Sequence, residues 1–302
     1  MGDVRWLFFM SKTYPAPAKV NLHLAVTGVT DHGYHTLDTS FVYVDIGDAL
    51  SIVLSEELDV RCSDGTLSGE KNLVHQVLSA FRREHQVNLG LDVFIDKKLP
   101  AMAGLGGGSS DAATALWVAN QLWEVHCTTE ELIDFSVKFG ADIPCFLFGK
   151  ASQAYGIGEK LTAYQGVVPQ QNIVLAWPGE GVSTAAAFVH FDQNEFHTLT
   201  DEKTVATVRA RSGAVSFDLG YNDLEKSAAT LCSPLLAMLT TMKEKSERAW
   251  MSGSGSACVA VCHSSKQACE LAKYLQKHKL ATWIHTGHFL PEHPLLACKI
   301  GA

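Results

Sequence analysis

The sequence predicts an α+β protein in two domains, and three observations carry that expectation. The 302 residues are enough for a large core, with 47% of them hydrophobic and 19% charged. Strand-like and helix-like stretches alternate along the whole chain without the strict βαβ regularity of a doubly wound sheet. A run of small residues, Gly104-Leu105-Gly106-Gly107-Gly108-Ser109-Ser110, sits directly between a strand pattern and a helix pattern.

Taken in order, Trp6 to Met10 is too short for a signal-peptide core or a membrane span, which leaves Met10 as an alternative start. Pro15 to Val26 alternates as a strand and Gly28 ends it, so that Lys19 and Asn21 share one face. After a turn around Asp31-His32-Gly33-Tyr34-His35 come two strand candidates, Phe41 to Val44 and Ala49 to Leu54, with Asp45-Ile46-Gly47-Asp48 between them. Asn72 to Gln86 changes to helical spacing. A strand over Leu91 to Asp96, the glycine run and a helix over Ala112 to Trp123 follow.

Thr128 with Glu131 reads as a capping box for a helix that stops at Gly140. Beyond it, Ala151 to Tyr164 and Asn172 to Trp177 read as strands, and a domain boundary is expected near residue 165, giving domains over 11–165 and 166–302. The second half offers helices over Asn222 to Leu231, Pro234 to Lys245 and Lys266 to Lys277. Its strands are expected over Arg248 to Met251, Cys258 to Cys262 and Thr282 to His288.

The glycine run fits an anion, most plausibly a phosphate chain. Glycines let backbone N–H groups approach a ligand, and the helix behind them contributes unpaired N–H groups and a positive dipole end. It is neither a Walker A loop, since no Lys-Ser or Lys-Thr follows, nor a dinucleotide fingerprint, since Ser109 stands where the last glycine belongs. A glycine-rich turn alone is equally compatible with an empty loop.

The net charge of −8 argues against nucleic acid or an anionic membrane as partner, because both need a basic field. The eight cysteines lie in largely apolar neighbourhoods without a paired framework, as reduced thiols of a cytoplasmic protein would. Cys258-x-x-x-Cys262-His263 is a fragment of a metal site that lacks a second pair.

Three stretches taken in order, Pro17-Ala18-Lys19-Val20-Asn21-Leu22, Pro100 to Ala113 and Met251-Ser252-Gly253-Ser254-Gly255-Ser256-Ala257-Cys258, resemble the signature motifs of the GHMP kinases. That family includes galactokinase, homoserine kinase and mevalonate kinase, and the resemblance runs from Tyr14 to about Leu290. It implies a two-domain GHMP-kinase-like fold with the active site between the domains and ATP phosphates on the glycine loop.

Further elements are similar to the branch of the family that serves non-mevalonate isoprenoid synthesis: Asp31-x-Gly33-Tyr34-His35-Thr36-Leu37, Gly140-Ala141-Asp142-Ile143-Pro144 and Asn222-Asp223-Leu224-Glu225. This likeness implies transfer of the γ-phosphoryl group of ATP to a hydroxyl of a small molecule carrying a cytidine diphosphate group. Another GHMP-type kinase, of homoserine or a mevalonate-like alcohol, and a non-catalytic nucleotide-binding protein on the same fold are the alternatives.

Residue by residue, the resemblance makes Asp142 the catalytic carboxylate and Lys19 its partner, with Asn21 as a hydrogen-bonding group for substrate. From the residues alone, Asp142 is equally a turn cap before Pro144 and Lys19 a solvated edge charge. Asn72, Lys97 and the loop Pro100, Ala101, Met102, Ala103, Gly104, Leu105, Gly106, Gly107, Gly108, Ser109 and Ser110 correspond to ATP-binding positions. The two serines could cap N–H groups, contact phosphate or orient Mg²⁺, which the nucleotide is expected to carry. Met102 departs from the small residue usual there, so the mouth of the loop is expected to be shaped differently. Tyr34 and His35 on one side, and Phe188 on the other, match positions that hold a cytosine; Phe188 is also readable as the core face of a helix. A monomer or weak homodimer is expected.

Overall fold

The structure is a computed structural model that describes residues 12–194 and 219–297. Its first sheet is organised on a hairpin of two long strands, β1 (Lys12–Val29) and β2 (His35–Ser55), paired from Lys12 against Ile52 to Val29 against His35. The connecting turn places Gly33 at φ +82°, a left-handed conformation that glycine adopts without steric cost.

The break expected at Asp45 to Asp48 is not a turn: β2 runs through it. Gly47 is there for close approach instead, because a Cβ at this position would lie 2.2 Å from the Ala16 carbonyl oxygen. The pairing register shifts between Pro17 and Lys19, beside this contact.

β1 occupies one edge of β2. The other edge is shared in turn by β5 (Ser152–Gly156), β11 (Phe289–Leu290) and β4 (Gly90–Asp96). β3 (Asp59–Cys62) lies parallel outside β4, and β6 (Lys160–Ala163) pairs with β5. The single strand expected over residues 151–164 is therefore two, since Gly156 and Gly158, at φ +72° and +110°, fold it into a turn.

Helices α1 (Leu73–Glu84), α2 (Gly107–Leu122), α3 (Thr129–Ser136) and α4 (Ile143–Phe148) complete the first half. α1 buries Val74, Val77, Leu78 and Phe81, the i, i+3, i+4, i+7 stripe that its spacing predicts, at about 1.5–3 kcal/mol per side chain. The capping box at Thr128 and Glu131 is present, with each side chain bonded to the other residue's N–H. α4 is an element the sequence reading missed, being one and a half turns of apolar residues behind Asp142.

The second sheet runs β10-β7-β9-β8, antiparallel throughout, from β7 (Asn172–Trp177), β8 (Arg248–Met251), β9 (Cys258–Cys262) and β10 (Trp283–Gly287). Around it pack α5 (Thr184–Asn194), α6 (Glu225–Leu231), α7 (Ser233–Lys245) and α8 (Ser265–Lys277). Cys258 and Cys262 are buried in its apolar core, and His263 faces Glu247 at 3.3 Å.

Each half has its own core, and a third cluster joins them. In that cluster Ala18, Val20 and Leu22 of β1 meet Ile173, Leu175, Trp250 and Val259 of the second sheet. Because successive strand residues face opposite ways, committing 18, 20 and 22 to this junction turns Lys19 and Asn21 to the other face. That face opens on a cleft of about 870 Å³ between the halves.

Candidate active site

The glycine run forms one wall of the cleft. Met102, Gly104 and Gly106 all take left-handed backbone conformations, at φ +56°, +78° and +72°. α2 begins at Gly107, within the glycines and earlier than the sequence suggests, and no side chain caps it. The leading N–H groups of a 16-residue helix are thus left for a ligand at the cleft. Ala103 and Leu105 bury their side chains and work through the backbone: the Ala103 carbonyl accepts from Ala257 N–H (2.9 Å) and the Leu105 carbonyl from Lys19 N–H (3.0 Å). Met102 is 71% exposed at the cleft mouth beside Pro100 and Ala101, in a backbone conformation that a small residue adopts more readily.

Lys19 and Asp142 meet here. They are 123 positions apart in sequence, yet Lys19 Nζ lies 3.4 Å from Asp142 Oδ2. Asp142 occupies the N-cap position of α4 but makes no capping hydrogen bond, so its carboxylate is not spent on the turn. Lys19 is buried, donates to Asn21 Oδ1 at 2.8 Å and lies 5.2 Å from the centre of the Phe41 ring. Asn21 in turn donates to Thr39 Oγ1 (2.8 Å). A buried ammonium held beside a half-exposed carboxylate is a pair that can orient a hydroxyl at the cleft and receive its proton.

On the nucleotide side, Asn72 and Lys97 line the cleft, each with its polar atoms engaged by the protein. The Asn72 side chain caps α1 through Val74 N–H (2.8 Å) and donates to the Leu67 carbonyl (2.7 Å). Lys97 donates to Asp48 and to Asp111 Oδ2 (2.7 Å), a three-membered charge cluster the sequence did not signal. Burial pushes the Asp111 carboxyl up to about 7, opposed by Lys97 and reinforced by Asp48. Lys97 is pulled down by burial, but Asp111 and Asp48 more than offset this and its net shift is upward. Asp48 also accepts the N–H groups of Lys98 (2.6 Å) and Leu99 (2.9 Å), so both ends of the glycine loop are tied to one cluster.

The two serines separate. Ser109 lines the cleft, whereas Ser110 is fully buried and its hydroxyl has no hydrogen-bond partner. Consecutive helical residues point about 100° apart, so the two hydroxyls take different surroundings.

On the acceptor side, His35 and Phe188 stack face to face, with ring centres 4.3 Å apart and planes at 17°. His35 Nε2 lies 2.7 Å from Asp192 Oδ1, on the same helix as Phe188. A base inserted between two rings needs roughly twice that separation. The Phe188 face expected to meet a base, opposite Tyr34 and His35, is therefore covered by His35 in this conformation. Phe188 lines the cleft, while Tyr34 stands at the hairpin turn, 65% exposed, outside the lining. Thr39, Asp48 and Asp192 are site neighbours the sequence reading missed, while Ser252 and Gly253 lie within its third motif, to which no site role was given.

This geometry places the chain in a known class. Residues 72–150 match the family model described as GHMP kinases N terminal domain, and residues 209–279 match GHMP kinases C terminal. The chain belongs to the GHMP kinase family.

Within it, the chain is 33% identical over 292 residues to the 4-diphosphocytidyl-2-C-methyl-D-erythritol kinase of Alcanivorax borkumensis, covering 95% of this chain and 94% of that one. It is 36% identical over 282 residues to the enzyme of the same name from Desulfitobacterium hafniense, covering 90% and 94%. A crystal structure of 4-(cytidine 5'-diphospho)-2C-methyl-D-erythritol kinase superposes with TM-score 0.73 at 27% identity, over 92% of this chain and 99% of the other. The L. major mevalonate kinase shares the fold, with TM-score 0.66 at 18% identity over 94% and 97%.

Proposed function

We propose that this chain is a 4-diphosphocytidyl-2-C-methyl-D-erythritol kinase, transferring the γ-phosphoryl group of ATP to the 2-hydroxyl of its cytidine-diphosphate substrate. The observation that carries the reading is the 3.4 Å approach of Lys19 to Asp142 on the cleft, beside the open N-terminus of α2. In phosphoryl transfer the transition state is loose, and the enzyme's work is positioning and charge stabilisation. Asp142 orients the hydroxyl and accepts its proton, Lys19 holds the carboxylate in place at 3.4 Å and Asn21 fixes Lys19.

The glycine-loop N–H groups take the phosphates, with Lys97 and Asn72 beside them. Tyr34, His35 and Phe188 receive the cytosine, which requires the His35–Phe188 stack to open. Mg²⁺, when bound with the nucleotide, would supply neutralisation of the phosphate charge. Among the described residues no three His, Cys, Asp or Glu side chains gather around a metal position, and the cleft offers the Asp142 carboxylate and the Ser109 hydroxyl. That donor set suits an ion held chiefly by phosphate oxygens.

We read the halves as two lobes, 11–165 and 166–302, and the setting as the cytoplasm. Among the described residues seven cysteines are free thiols, which supports that setting, and no helix is long and apolar enough to cross a membrane. The test is a coupled assay for ADP. ATP with the cytidine-diphosphate methylerythritol is expected to yield ADP and a phosphorylated sugar alcohol. No ADP above background with it, but turnover of homoserine or mevalonate, would overturn the assignment.

A further inference from the structure

The motif Asn222-Asp223-Leu224-Glu225 touches none of the reacting groups, yet every polar side chain in it is committed to the site's framework. The Asn222 amide donates to two carbonyls of the small-residue loop at once, Met251 O (2.9 Å) and Gly253 O (2.8 Å), while its Oδ1 accepts from Leu224 N–H (2.9 Å). Glu225 Oε2 accepts from Met251 N–H (3.1 Å), and Asp223 Oδ2 accepts from Val26 N–H of β1 (2.7 Å). The backbone joins in, with Leu24 N–H donating to Tyr221 O (2.8 Å) and Asp223 N–H to Leu24 O (3.0 Å). One short segment thus grips both β1 and the loop after β8.

What that loop touches gives the grip a consequence. Ser252 Oγ accepts from Asn21 N–H (3.3 Å) and donates to the Gly104 carbonyl (3.2 Å), bridging β1 to the glycine loop. Gly253 sits beside Lys19 and its partner Asn21: a Cβ there would stand 3.4 Å from both Lys19 Nζ and Asn21 Oδ1. From Asn222 one hydrogen bond reaches the Gly253 carbonyl, and Ser252 next to it bonds Asn21, which accepts from the Lys19 ammonium.

We infer that Asn222 is a positioning residue for phosphoryl transfer, setting the Gly253 backbone that backs Lys19 and so the placement of Lys19 against Asp142. This rests on the kinase reading above, in which Lys19 and Asp142 are the reacting pair. Asn222→Asp keeps the shape but turns a carboxylate oxygen on two carbonyl oxygens, while Asn222→Ala leaves both carbonyls without a donor.

Displacing a reacting group by an ångström costs about 10²-fold. Both variants are therefore expected to lose about that much kcat, with KM for ATP within about twofold of the parent. Lys243→Met cuts the Lys243–Glu225 ion pair on the far side of the same segment and is expected to leave kcat within about twofold. A folded Asn222→Asp enzyme with parental kcat, or one whose loss lies wholly in KM for ATP, overturns the proposal. Where the Asn222 variants do not fold, Gly253→Ala probes the same contact from the other side, and an unchanged kcat there overturns it equally.

A crystal structure of Asn222→Asp, or of Gly253→Ala, asks the question without substrate. The proposal expects the 252–255 backbone shifted and Lys19 Nζ moved off Asn21 Oδ1. An unmoved pair overturns it even if the chain fails to phosphorylate the cytidine-diphosphate alcohol, whereas failure of that assay alone overturns the substrate assignment.

Discussion

In the proposed reading the nucleotide half of the cleft rests mainly on one stretch, residues 97–111, with Asn72 beside it, whereas the acceptor half gathers Lys19 from β1, Asp142 from the start of α4 and Phe188 from α5. The first half is held rigid by its own neighbours, with Asp48 and Lys97 tying both ends of the loop. The second has its aromatic groups collapsed onto one another. A phosphate chain is common to every nucleotide, so a preformed cradle suffices for it. Recognising one base calls for surfaces that close on it, and such surfaces fill with their own side chains until it arrives.

Asp142→Asn cuts deepest into this division. It is expected to lower kcat by about 10³-fold while a non-hydrolysable ATP analogue still binds within a few-fold, measured by steady-state kinetics and calorimetry. Loss of nucleotide binding in that variant would mean that the halves are not separable. Gly106→Ala attacks the cradle: φ is +72° there, and the new Cβ would lie 2.9 Å from the Phe146 ring and 3.0 Å from Lys19 Cγ. Calorimetry is expected to show ATP-analogue affinity weakened by about 10- to 100-fold, the size of left-handed strain plus a displaced loop.

Phe188→Ala sharpens the acceptor side. With one stacking face removed, KM for the cytidine-diphosphate substrate is expected to rise about tenfold while KM for ATP holds. A rise in both would place Phe188 in the lobe's core instead.

The smallest effect concerns the cradle's support. The Asp111 carboxyl stands at about 7 in the fold, above its ordinary 3.8, because burial disfavours its charge. The folded chain therefore holds that proton more tightly than the unfolded one. The resulting stability is present at low pH and lost as pH rises through about 7. Asp111→Asn is expected to flatten the fall in thermal midpoint between about pH 4 and 7 by a few degrees. A parallel slope in the variant would show that Lys97 and Asp48 absorb the change.

Much of this was legible along the chain. The apolar stripe of α1, the capping box of α3 and the strand–glycine–helix order of the phosphate loop are local patterns, and they appear where their spacing puts them. Local pattern misled at Asp45 to Asp48, whose aspartates and glycine look like a turn. There the glycine is demanded by the Ala16 carbonyl across the hairpin, and Asp48 is consumed by backbone N–H groups some fifty residues away. Which of Ser109 and Ser110 lines the cleft and which is buried was likewise set by the helix and not by the motif.

By itself, the sequence determined the kinds of element and the chemistry available to them: a glycine loop leading into a helix, a lysine and an asparagine on one strand face, a carboxylate among apolar residues. Their order also carried the resemblance to the GHMP kinases. Only the tertiary structure decided that Lys19 and Asp142 meet, that Asp142 is free of its cap position, that Lys97 is shared by two carboxylates and that Asn222 grips the loop behind Lys19. Periodicity and capping act within a turn or two of chain. A contact across more than a hundred residues is set by which faces the two cores leave over once they have packed.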